Sequence, residues 1–322
     1  AFILPIKSVD ASKRSYLSIA AGCVTCAYFP MAGAISRIAW KQLKQQGIKV
    51  TAVSSGASVA NAKLIGQGDT DFAILQNDIA SYAHFGKEGM FDEAVKNLLG
   101  VCTLFPEHVQ LVSRKDSNIK SVADLKGKKV AIGPVGSGTA ENAKQILEAW
   151  GLKVEDLAKA EQLTASQSAD YIKDGRLDAA FFTVAVGAAV IMDTSLIVDT
   201  AIVPIEGPKA DELIAKYPFY AKQVVTGGIY KGNDKDVNTV SVLAMLSARA
   251  DLDTDIVYAI VNAMYSDLEQ LRKAHDKFKG IKMEDGLVGM GIPLHPGAEK
   301  YFKEQGILKL QLRLNLSAYD VD

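Results

Sequence analysis

The chain is 322 residues long, 48% apolar and 23% charged, the make-up of an ordinary globular protein and not of a disordered or fibrous one. Its 36 basic and 37 acidic side chains nearly cancel, which removes the field that draws phosphates to a nucleic-acid binder and argues against a nucleic-acid partner. No apolar run reaches the roughly 20 residues of a membrane span: the nearest, residues 179–192, is short and contains Gly187, so the chain is not expected to be membrane-spanning.

A single core usually stops growing near this length, so two lobes are expected. Residues 1–5 are mostly apolar, with neither the basic leader nor the length of a signal peptide, and read as a mature N-terminus left by cleavage. The first element is a short alternating strand from Tyr16 to Ala20, running into Gly22 and a loop of small residues that ends at Pro30. Met31, Ala34, Ile35 and Ile38 then fall at helical spacing, and Pro30 suits a first helical turn, where its missing N–H costs nothing.

Within that loop Cys23 and Cys26 form a Cys-x-x-Cys pair. The spacing at a helix start invites a redox or metal reading, but there is no second pair for a zinc site and Cys102 is remote in sequence. A disulfide and plain packing thiols stay open beside it, and no metal or cofactor is expected. Ser54-Ser55-Gly56-Ala57-Ser58 follows an apolar strand and precedes a helix, so its hydroxyls and N–H groups serve either a ligand or the helix cap.

Gly68-Asp69-Thr70-Asp71 leads into Phe72–Leu75, and Gly175-Arg176-Leu177-Asp178 leads into Ala179–Phe182. Each turn feeds a buried strand, with Gly, Asp and Ala in register. Gln76-Asn77-Asp78 lies just past the first of these strands, where open α/β sheets place ligand contacts. Glu107–Arg114 reads as a strand connecting the lobes, and Ser121-Val122-Ala123-Asp124 as a capping box.

The strand–turn–helix grammar recurs where Lys129–Ile132 leads to Gly133-Pro134-Val135-Gly136-Ser137-Gly138-Thr139 and then to Ala143, Ile146, Leu147 and Trp150 at helical spacing, with Gly151 as terminator. A glycine-rich turn at a helix start offers backbone N–H groups and the positive helix end to an anion. It is no P-loop, because Thr139 stands where the lysine would, and its glycine order does not fit the dinucleotide fingerprint. A small carboxylate fits better than a nucleotide.

Gln223–Tyr230 is a second strand-like run that would carry the chain back to the first lobe. Ile256, Ala259, Ile260 and Ala263 mark a late helix, and Leu308, Leu310, Leu312, Leu314 and Leu316 alternate with polar residues as an edge strand or appended segment. His84, His108, His275 and His295 lie in no metalloprotease or nucleophile-elbow context, and Asp69, Asp71, Asp174 and Asp178 read as turn formers. No catalytic residues are assigned.

In the order of four features the chain resembles the substrate-binding receptors of the TAXI branch of TRAP transporters: the loop ending Tyr28-Phe29-Pro30, Ser55 to Asn61, Gly68 to Asn77, and Ser121 to Thr139 with its Gly-Ser-Gly-Thr. The resemblance covers about Tyr16 to Gly306. It implies a periplasmic-binding-protein-like (type II) α/β fold, two lobes joined by hinge-crossing strands, here residues 13–110 with 228–322 and residues 111–227, around a ligand cleft.

It implies a periplasmic receptor that closes on a small organic anion, a dicarboxylate such as 2-oxoglutarate or glutamate, and hands it to an integral TRAP membrane permease. Its ligand contacts map to Tyr28, Ser55, Ala57 and Gln76 in the first lobe and Ser137, Gly138 and Thr139 in the second. Phe182, ending the second echoed strand, is counted with them. Cys23, Val24, Thr25 and Cys26 stand where the family's first loop is rich in Gly and Thr, and Phe29 replaces a Tyr. The rival readings are an enzyme on the same fold using Cys23 or Cys26, and a sensor that binds ligand without delivering it.

Overall fold

Two β-α-β-α-β units build the molecule, and the computed structural model describes them over residues 15–308, apart from 23, 25, 26, 88, 89 and 275–277. The first unit is β1 (Tyr16–Ala20), α1 (Tyr28–Leu43), β2 (Lys49–Val53), α2 (Ser58–Gln67) and β3 (Phe72–Gln76), followed by α3 (Asn77–Phe85) and the long strand β4 (Leu98–Arg114). The second is β5 (Lys129–Ala131), α4 (Gly138–Ala149), β6 (Lys159–Glu161), α5 (Ala165–Lys173) and β7 (Ala179–Val184).

The chain continues through α6 (Ala189–Ile197), β8 (Thr200–Val203), α7 (Pro208–Lys216), β9 (Ala221–Val225) and a second long strand, β10 (Val237–Arg249). It then adds α8 (Thr254–Ser266), α9 (Leu268–Ala274) and α10 (Pro296–Glu304). The sheet order is β2-β1-β3-β10-β4-β7-β5-β6, with β8 on β4 and β9 on β10. Each unit is parallel around its first strand, as β2-β1-β3 and as β6-β5-β7. β4 and β10 run antiparallel to each other and to the units they join.

The two echoed turns thus precede the third strand of each unit. β3 is buried throughout and β7 nearly so, the near-continuous apolar run expected of a strand covered on both faces. The helical stripe read from Met31, Ala34, Ile35 and Ile38 is fully inside.

Packing divides along the two long strands. Val101, Cys102, Leu104 and Phe105 of β4 join the core around α1, α8 and α10, whereas Val109 and Leu111 join the core around α4. On β10, Val240 and Val242 pack with the second unit, and Ala244 and Leu246 with the first. Between these positions the ladder is interrupted. Pro106, opposite Leu243, has no N–H to give, and the Leu243 N–H donates instead to Asn77 Oδ1 at 3.0 Å. Register shifts beside Ala244 and Leu246 add a bend there.

The run read as Gln223–Tyr230 is β9, at Ala221–Val225, and it pairs with β10. The strand that returns to the first unit is β10 itself, which sequence reading passed over because it is buried on both faces and lacks alternation. Of the leucine-alternating tail only Leu308 is among the described residues. No helix among them is long and apolar enough to cross a membrane.

Candidate functional site

The loops after β1, β2 and β3 meet the turn after β5 along a seam, and several of the residues singled out from sequence lie beside it. On the first wall, Gly22 N–H donates to Ser55 Oγ at 2.7 Å and Ser55 N–H returns a bond to Gly22 O at 3.0 Å, clipping together the loops after β1 and β2. Ser55 therefore shapes this wall. Ala57 precedes α2 at φ 73° and ψ −158°, a region that essentially only glycine occupies freely, at a cost of about 1–3 kcal/mol for a side-chain-bearing residue.

Tyr28 opens α1 and is buried, its hydroxyl donating to Glu107 Oε2 of β4 at 2.5 Å. Its ring meets Phe105 edge-on at 6.4 Å. Burial, with the Glu107 carboxylate beside it, pushes the Tyr28 hydroxyl well above its ordinary range, so it stays a donor. Tyr28 and Glu107 thus join the first helix to β4, the strand shared by both units.

The second wall is the turn before α4. Ser137 caps that helix, accepting from Ala140 N–H at 3.2 Å and donating to Pro134 O at 2.7 Å. Its hydroxyl thus holds the turn, leaving the N–H groups of Gly138 and Thr139 as first-turn donors without intrahelical acceptors. Gly133 must be glycine: φ is 94°, and a Cβ would lie 2.9 Å from Ala140 N. Phe182 lies in the core of the second unit, packed with Val112 and Tyr230, and is 3% exposed.

The walls touch. Gln76, at the end of β3, is 3% exposed and lies so close to Gly138 that a Cβ there would come within 1.8 Å of Gln76 Oε1. That oxygen is buried with no hydrogen-bond partner. Val59 N–H at the start of α2 donates to Gly136 O at 3.2 Å, and Gln76 N–H is held by Ser58 Oγ at 3.2 Å. The conformation is therefore closed.

Sequence reading missed a polar cluster that bridges the walls farther along. Asp78, fully buried in α3, accepts from Asn142 Nδ2 of α4 at 2.9 Å and from Ile79 N–H at 2.8 Å. Asn142 also donates to Tyr220 Oη at 2.8 Å and accepts from Thr183 Oγ1 at 3.0 Å. Tyr220 donates to Gln145 Oε1 at 2.7 Å, and Gln145 Nε2 reaches Tyr82 Oη at 3.0 Å. Lys87 pairs with Glu141 across the same seam. No local motif announces these residues, because helical spacing on α4 explains Glu141, Asn142 and Gln145 as an ordinary polar face.

Burial pushes the Asp78 carboxyl up to about 7. Two of the histidines hold backbone: His84 Nδ1 bonds Leu98 O at 3.0 Å, and His295 caps α10. Cys102 is buried, and burial pushes its thiol up to about 12, which makes it a poor nucleophile. Cys23, Cys26 and His275 lie outside the described residues, and the thiol-enzyme reading falls there.

A family model described as the NMT1-like family matches residues 19–306. Among solved structures the chain is similar to PhnD1 from Prochlorococcus marinus in complex with methylphosphonate (TM-score 0.55, 11% identity, covering 91% of this chain and 99% of that one). It is also similar to a protein from Bordetella bronchiseptica RB50 (TM-score 0.54, 16% identity, 91% and 89%). A third is XAC2383 from Xanthomonas citri bound to ATP (TM-score 0.53, 13% identity, 92% and 98%). These identities speak to the fold, which is α/β and periplasmic-binding-protein-like.

Proposed function

The chain belongs to the NMT1-like family, and from that premise we propose that it is a solute receptor whose two halves close on a small organic anion. The observation that carries this reading is the meeting of Gln76 with the α4 N-terminus at Gly138, one from each half, with Gln76 Oε1 buried and unpartnered. Such an acceptor is costly to leave unsatisfied, by about 1–3 kcal/mol. A ligand carrying both an oxyanion for the Gly138 and Thr139 N–H groups and a donor for Gln76 satisfies both walls at once.

Tyr28, Ser55 and Ala57 flank that point from the first half, Ser137 holds the turn, and Phe182 backs the second wall from its core. We assign two lobes close to residues 13–110 with 228–322 and residues 111–227, with the crossings moved to Pro106 on β4 and Leu243 on β10, because Tyr230, Val240 and Val242 pack with the second unit. Dicarboxylates such as glutamate and 2-oxoglutarate are the proposed ligands, and a TRAP permease the proposed acceptor at the membrane, on the strength of the resemblance to TAXI receptors. Glutamate brings its ammonium to Gln76 Oε1, whereas 2-oxoglutarate, which has no donor, needs the Gln76 amide turned over so that its Nε2 donates. The receptor would then work in the periplasm. Methylphosphonate, the ligand of PhnD1, belongs in the same test as an anion of another class.

Four or five hydrogen bonds to a charged ligand, at roughly 1.5–3 kcal/mol each, offset the cost of ordering it and reach the ~8 kcal/mol of micromolar affinity. A thermal-shift panel of 2-oxoglutarate, glutamate, succinate, methylphosphonate and an alkanesulfonate checks the proposal. Stabilisation by at least one is expected, and no shift with any small anion contradicts it.

A further inference from the structure

The seam between the halves contains one carboxylate that the receptor reading does not use. Asp78 is fully buried in the closed conformation, and among the described residues the side chain that hydrogen-bonds its carboxylate is the neutral amide of Asn142 from the opposite half. Facing it are Tyr82 from its own helix, Glu141 and Gln145 from α4, Tyr220 from the segment before β9, Thr183 from β7 and, farther off, Tyr28 from α1. Lys87 is the cation of this seam, and it pairs with Glu141. Among the described residues no ion pair reaches Asp78.

A lone buried carboxylate is expensive when charged and cheap when protonated. Its burial depends on closure, since α4 and the Tyr220 segment belong to the opposite half. When the halves part, water returns to Asp78.

We propose that Asp78 is a proton-operated latch: closing the two halves takes up a proton on its carboxyl, so that the closed state is favoured as the surroundings become more acidic. The protonated carboxyl keeps the hydrogen bonds it accepts from Asn142 Nδ2 and Ile79 N–H without a buried charge. The proposal rests on the reading that the halves open and close. It adds a linkage that no ligand contact supplies.

The sign follows from the direction of the shift. Water returning on opening takes Asp78 back toward the ordinary carboxylate value of 3.8, whereas in the closed state burial raises it to about 7. Between those values the closed state holds a proton that the open state does not, so the closed-to-open ratio falls by up to about tenfold per pH unit as pH rises. Above about 7 both states are ionised and the dependence flattens.

Small-angle scattering of the ligand-free chain from about pH 5 to about pH 8.5 reads the radius of gyration in the wild type and in Asp78→Asn, a neutral isostere of the protonated acid. The expected result is a wild-type radius that grows with pH and an Asp78→Asn radius that stays at the compact value. Equal pH profiles in the two chains, or a wild-type radius indifferent to pH, overturn the latch. Should Asp78→Asn fail to fold, the wild type still decides the matter: carboxyl-carbon NMR in which no aspartate titrates above about pH 6 overturns the proposal. A wild-type radius that responds to 2-oxoglutarate or another panel anion, but not to pH, removes the latch and leaves the receptor reading standing.

Discussion

The two β-α-β-α-β units share a lock at matching places, with the arginine buried in one and partly exposed in the other. Each long strand ends in Arg-x-Asp: Arg249 and Asp251 close β10, Arg114 and Asp116 close β4. Arg249 Nη1 donates to Gly68 O at 2.8 Å, and Arg114 Nη1 to Ile172 O at 3.0 Å, so each guanidinium grips the helix-to-turn segment before the third strand. In each unit the echoed aspartate accepts a backbone N–H from the first strand, Ser18 to Asp71 at 2.9 Å and Lys129 to Asp178 at 2.7 Å. The turn aspartates are thus strand couplers. The Arg-x-Asp partners Asp251 and Asp116 are alike in solvent, 63% and 66% exposed, but Arg249 is 6% exposed with Asp71, 8% exposed, 3.4 Å away, whereas Arg114 is 25% exposed.

That difference gives the largest expected effect. Arg249→Ala removes the cation beside a buried carboxylate and is expected to cost about 3–5 kcal/mol in chemical denaturation. Arg114→Ala is expected to cost much less, because Arg114 is 25% exposed and its ion pair is to the exposed, screened Asp116, with no counterpart to the buried Arg249–Asp71 pair. Equal losses would break the comparison.

A second pair of matched positions lies after the central strands, where Gly22 and Gly133 share φ of 94°. Around Gly22 a Cβ would meet nothing among the described residues, whereas at Gly133 it would meet Ala140 N and Thr139 at 2.9 Å. Gly133→Ala is expected to lose about 3 kcal/mol and Gly22→Ala about 1 kcal/mol of folding stability. Thermal unfolding of the two variants side by side checks the ranking.

The smallest effects lie at the helix starts that face each other across the cleft. Ser137→Ala removes the α4 cap and is expected to cost about 1 kcal/mol. Ala57→Gly relieves the strained start of α2 and is expected to gain about 1 kcal/mol. Opposite signs at two facing helix N-termini would show that one is capped by its own side chain and the other held by the fold around it.

Much of this was legible because it is local. Glycine order, capping residues and apolar spacing gave the turn at Gly133–Thr139, the α1 stripe and the repeated Gly/Asp turns. The Arg-x-Asp locks were not read, although they repeat, because their partners lie far along the chain and only the sheet brings them together. β10 hid for a related reason: buried on both faces, it has no period of two to detect. Asn142, Tyr220 and Gln145 look like any polar surface until α4 meets α3. The Cys23–Cys26 loop and the tail beyond Leu308 stay expectations from sequence, outside the described residues.

The account turns on Gln76 and the α4 N-terminus belonging to one anion site. Isothermal titration of the strongest panel anion into the wild type and Gln76→Ala tests this most directly. The account predicts saturable binding to the wild type and affinity weakened at least about tenfold in the variant, a loss of about 1.4 kcal/mol. Equal affinity in the two proteins, with both folded, would contradict it.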